Sequence, residues 1–156
     1  MNEGAIVFLL CSGAIGLLLA TLIGGVLLRA ACALYNKFVG GRKTPYSVPE
    51  PEMGKAMGII FVTELVNWIL GLAIGFAIGA GSFAAGLGEM ETKIIAQMVS
   101  FPFSLLVLAG MSSSMLPTTF GRGLLVALCY LLVVVFVAVV LGVIFGGLFL
   151  LIKLAS

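Results

Sequence analysis

Four long apolar runs separated by short polar stretches set the pattern of the chain. They cover roughly residues 5–28, 56–81, 94–116 and 124–152. Each reaches the ~20 residues that a helix needs to cross a ~30 Å hydrocarbon layer. The last is long enough to tilt or to protrude. Inside a bilayer every backbone polar group must be paired, so uninterrupted runs of this length are helices; the alternating ten-residue strands of a membrane barrel are not seen. The pattern predicts an all-α integral membrane protein: a bundle of four transmembrane helices with short loops, forming one domain over residues 1–156.

Composition closes off the other classes. The chain has 156 residues, 62% hydrophobic and 9% charged, where a soluble domain carries about a quarter of its residues as charges. The net charge of +2 comes from bases scattered along the chain, which gives no surface for nucleic acid. There is no histidine, which removes the commonest metal ligand and general base. Cys11, Cys32 and Cys129 have no C-x-x-C spacing and read as small apolar fillers. No metal site is expected. No cofactor can be named, since a pigment or quinone between helices need leave no motif.

The first run starts with "MNEG", an acid where a secretory leader carries bases, and is longer than a leader's apolar core, so it is expected to be retained. Lys and Arg counted in the loops set the orientation. Arg29, Lys37, Arg42, Lys43, Lys55 and Arg122 fall on one side; Lys93 and Lys153 fall on the other. Six against two places the first and third loops in the cytoplasm, and both termini outside, in the cytoplasmic or an equivalent membrane. Residues 29–55 form the one sizeable polar segment, expected at the cytoplasmic interface. Its first part can prolong helix one up to Gly40 and Gly41. Ser47 and Glu50 have capping-box spacing, which predicts that helix two starts near Val48, with Pro49 and Pro51 in its first turn.

Small residues recur every fourth position on three helices: Gly16, Ala20 and Gly24; Gly71, Gly75 and Gly79; Ala138, Gly142 and Gly146. Such stripes let backbones approach closely, which matters in lipid because apolar burial alone cannot hold helices together. Helix two adds an acid. Glu64 lies about 12 Å into the membrane when counted from Ala56 at 1.5 Å per residue. Asn67, Gly71, Gly75 and Gly79 all fall within about 60° of it around the helix. An ionised carboxylate near a membrane centre costs roughly 2.5–3.5 kcal/mol on insertion scales; the neutral acid costs less and can donate a hydrogen bond. No Lys or Arg stands at its depth. Thr63 lies to one flank of this face and can bond its own preceding turn. Thr21, Ser112 and Tyr130 are candidate polar neighbours, helix three also bears Gln97, Ser100 and Ser104, and the serine run 112–114 is expected to be an ordinary polar helix end.

Glu64, Asn67 and Thr63 form the candidate ion-binding or interhelical polar site, and the three stripes are the candidate packing surfaces. The favoured reading is a small assembly or scaffold subunit, self-associating or joining other membrane subunits through glycine-lined faces. The alternative is an oligomeric proton or cation channel or carrier that uses Glu64. No enzyme is expected, because Ser112 to Ser114 have no evident base and Glu64 has no acid/base partner. The layout is similar to that of duplicated rotary-ATPase proteolipids and of small multidrug exporters, which are four-helix chains with a membrane carboxylate. The first family is expected to hold its acid in the last helix and the second in the first, whereas Glu64 is in helix two of a chain without internal duplication. Neither family's site residues carry over.

Overall fold

The computed structural model describes residues 3–41, 44–86 and 88–155, with side chains for 15–41, 44–81, 86, 88–148 and 152–153. Arg42, Lys43 and Ser156, and the side chain of Cys11, lie outside the described residues. Four helices run in order: α1 Glu3–Phe38, α2 Met53–Ala85, α3 Glu89–Met115 and α4 Phe120–Ala155. Each is long and apolar enough to cross a membrane, so this is a multi-pass membrane protein. Each helix packs on its chain neighbours, and α1 packs on α4 to close the ring. Short connections between long helices make the neighbours antiparallel, the arrangement of an up-down-up-down bundle.

The core sits at one end of that ring. Leu28, Ala31 and Cys32 of α1 meet Ile59 and Ile60 of α2, Leu108 and Ala109 of α3, and Val126 and Ala127 of α4, all buried. Glycines permit the closest approaches here. A Cβ on Gly123 would stand 2.6 Å from the carbonyl oxygen of Ala109, and one on Gly24 would stand 2.8 Å from the Ile60 side chain. The other end differs. Among the described residues, none in 15–20, 64–107 or 130–148 is buried.

The segment between α1 and α2 is tied to the packed end. Gly40 and Gly41 take φ of 92° and 106°, a left-handed conformation that costs glycine little. The Gly41 N–H donates to the Asn36 carbonyl at 2.8 Å, closing the end of α1. Asn36, 3% exposed, then uses its side chain like a strand edge. Its Nδ2 donates to the Val48 carbonyl, and its Oδ1 accepts from the Val48 N–H, both at 2.8 Å. The Tyr35 hydroxyl donates to the Tyr46 carbonyl at 3.2 Å. The Arg122 guanidinium stands 5.5 Å from the Tyr46 ring centroid, at the start of α4.

These ties correct the expected start of helix two. Residues 47–52 are not helical, and α2 begins at Met53. The Ser47 hydroxyl donates back to the Thr44 carbonyl at 2.9 Å, and the Val48 N–H is held by Asn36. Pro49 and Pro51 additionally hold the residues before them away from helical conformation. As expected, α1 continues into the segment before Gly40 and ends at Phe38, while α4 begins at Phe120, ahead of its apolar run. Helix α3 runs through Pro102 and the serine run to Met115, where the Leu116 N–H donates to the Ser112 carbonyl at 2.9 Å. Its other end is capped by Glu91, whose carboxylate accepts from the Gly88 N–H at 3.2 Å.

Candidate functional site

Glu64 stands where the packed end gives way to the open one. It lies eleven residues into α2, about 16 Å along the helix axis at 1.5 Å per residue. Two cavities share its side chain. One, of about 350 Å³, lies among α2, α3 and α4. Thr63, Glu64 and Asn67 line it from α2, Ser104 from α3 and Tyr130 from α4. Its remaining wall is apolar: Ile60, Phe101, Leu105, Leu108, Leu131 and Val134. The other, of about 320 Å³, lies against α1 and is bounded by Leu17, Phe61, Leu65 and Trp68 beside Glu64. No Lys or Arg lines either cavity.

Hydrogen bonding inside the first cavity is incomplete. Thr63 is 4% exposed, and its hydroxyl has no partner; the Oδ1 of Asn67 is likewise buried and unpartnered. The bond open to Thr63 on its own preceding turn is therefore not made. Thr21 and Ser100 do make such bonds, donating to the carbonyls of Leu17 and Ala96 at 2.7 Å each. Ser104 donates to the Ser100 carbonyl at 3.1 Å and keeps its lone pairs for the cavity. A buried polar oxygen without a partner costs roughly 1–3 kcal/mol, so two on adjacent turns of one helix mark a place where water or a ligand is accommodated.

No family model, no curated protein and no solved structure matches this chain.

The other predicted residues are spread along the bundle. Ser112 is fully buried in the packed end and lines neither cavity; its hydroxyl too is unpartnered. Thr21 is buried on α1. Of the small-residue stripes, Gly24 is pressed against Ile60, with the Tyr130 hydroxyl 3.4 Å from where its Cβ would stand. For Gly16, Gly71, Gly75, Gly79, Gly142 and Gly146, no described atom beyond the adjoining turns of the same helix lies within 4 Å of that point. Ala20 and Ala138 are exposed. Two residues important to the arrangement escaped notice in the sequence. Asn36 reads as an ordinary interfacial polar residue, since its partner is a backbone twelve residues on. Gly123 reads as a turn glycine, although α4 lies directly against the α3 backbone there.

Proposed function

We propose that the chain binds a monovalent cation within the membrane at Glu64, as a carrier or as one subunit of a channel. The observation that carries this reading is the cavity: one carboxylate, two unpartnered oxygens and no basic side chain share it. A lone acid in such a place marks an ion or proton pathway by default, and its companion is sought among cations from outside the chain. The core around Ile60 and Leu108 closes the bundle on one side of the cavity. Access comes from the other side, where described residues are unburied. Access from one side suits a carrier that must rearrange more than a static pore. No covalent chemistry belongs to this reading.

The orientation that goes with it puts the packed end and the loop 39–52 in the cytoplasm, and both termini outside. Arg29, Lys37, Lys55 and Arg122 lie at that end. The cavity would then be filled from outside a cytoplasmic-type membrane.

A second reading, an assembly subunit, is favoured by the glycine face of α2. Gly71 and Gly75 project within about 20° of Glu64, and no described atom occupies the space before them. A neighbouring helix from a second copy or another subunit could approach there.

One substitution series separates the two. Glu64→Gln and Glu64→Leu chains are reconstituted in vesicles, with proton and monovalent-cation flux and oligomeric state read together. The cation reading expects flux in the parent, loss in both variants and unchanged oligomeric state. Flux unaffected by Glu64→Gln sinks it. No flux in any chain, with assembly kept in the Gln variant and lost in the Leu variant, selects the subunit reading.

A further inference from the structure

The cavity beside Glu64 has more to say than the sign of its occupant's charge. Its volume, about 350 Å³, falls in the range of small-molecule sites, roughly 300–1,000 Å³. At about 30 Å³ per water in the liquid, a bare alkali ion would leave most of that space to solvent. The walls do not suit solvent. Six of the eleven lining residues are purely apolar, and three of the five others, Thr63, Glu64 and Asn67, belong to α2. Thr63 and Asn67 are one helical turn apart on the same face, and Glu64 lines the cavity with them from the same stretch of α2.

That region is rich in acceptors. The ionised carboxylate of Glu64 only accepts, as does the Asn67 Oδ1, and the Thr63 hydroxyl has free lone pairs. A primary ammonium carries three N–H donors and no acceptor, one for each. A single carboxylate fits a single positive charge, and charge-assisted bonds are the strong ones. Phe101 and Tyr130 put aromatic rings in the cavity wall, suited to an apolar body or to the flank of the cation.

Resting on the cation-site reading above, we infer that the cavity takes a primary ammonium on an apolar body, such as an aralkylamine. The head is bound by Glu64, Asn67 and Thr63, and the body lies against Phe101, Leu105, Leu131 and Val134.

The test is calorimetry on the full-length chain in lipid nanodiscs, with empty nanodiscs subtracted. The probes are phenethylammonium, phenethyl alcohol and sodium ion at matched ionic strength. Saturable binding of phenethylammonium is expected, with none of the alcohol at the same concentration. Glu64→Gln should weaken it by about 10-fold or more, as loss of a charge-assisted bond does. Thr63→Val, which preserves side-chain volume, should weaken it by about 3-fold. Equal binding of the alcohol overturns the inference without recourse to any variant, as does amine binding indifferent to Glu64→Gln. Glu64-dependent binding of sodium without binding of the amine overturns the ammonium assignment and leaves the cation site standing. Failure of all cations to bind removes both.

Discussion

The two ends of this bundle obey different rules. At the end that carries loop 39–52, side chains from all four helices interlock, glycines admit neighbouring atoms to within 2.6–2.8 Å of a would-be Cβ, and the connecting loop is stitched down by Asn36 and Tyr35. From Glu64 outward no described residue is buried, although glycine is just as frequent there. In lipid the hydrocarbon is as apolar as leucine, so helices adhere through close packing and hydrogen bonds instead of apolar burial. Only one end of the bundle uses both means. The same glycine spacing thus signifies contact in one half and open space in the other, and the difference lies in whether another backbone faces it.

Glycines set the largest test of that contrast. Gly123→Leu puts a side chain where the Ala109 carbonyl stands 2.6 Å away, with the Ser113 backbone at 3.3 Å. Backbone cannot yield as a flexible side chain does, so α3 and α4 must separate. A loss of about 3 kcal/mol or more is expected, read as failure to purify folded protein or as a steep drop in melting temperature in detergent. Gly75→Leu in the open half should move stability by less than about 0.5 kcal/mol. Equal effects at the two sites would erase the distinction between the halves.

Next in size is the loop clamp. Asn36→Leu removes both bonds to Val48 and leaves a buried N–H and C=O unsatisfied. The expected cost is about 2–3 kcal/mol, accompanied by faster proteolysis within residues 44–52. Tyr35→Phe removes only the 3.2 Å bond to the Tyr46 carbonyl and should cost about 1 kcal/mol, with a smaller gain in cleavage. A clamp that mattered little would give protease resistance unchanged in both.

How far the sequence foretold this follows from the same physics. The four spans were legible because hydrocarbon thickness and backbone pairing leave a chain this apolar no other choice. The start of α2 was misjudged because the capping-box spacing of Ser47 and Glu50 is a local signal. It lost to a side chain twelve positions upstream that took the Val48 backbone for itself. Glu64 and Asn67 were recognisable as one polar face, since helical projection needs only the numbering. That this face meets Ser104 and Tyr130 around a cavity required the ring order of the helices, which periodicity does not encode. The glycine stripes were visible as patterns but silent about occupancy.

The smallest effect has an inverted sign and compares the halves once more. Ser112 in the packed end and Thr63 at the cavity each bury a hydroxyl with no partner. Removing such a group while keeping its volume relieves a desolvation cost, so Ser112→Ala and Thr63→Val should each raise stability, by about 1 kcal/mol or somewhat less. In the packed end the unpartnered hydroxyl has no occupant to serve, and Ser112→Ala should leave cation binding and flux unchanged. At the cavity the unpartnered oxygen is kept for a ligand's N–H, and Thr63→Val should gain stability while losing affinity, the exchange expected of a site that holds its polar groups ready. Melting curves of the two variants with and without phenethylammonium decide it. The amine should raise the melting temperature of the parent and of Ser112→Ala alike, and that of Thr63→Val distinctly less. An identical ligand-induced rise in all three would make Thr63 a buried hydroxyl like any other and detach it from the site.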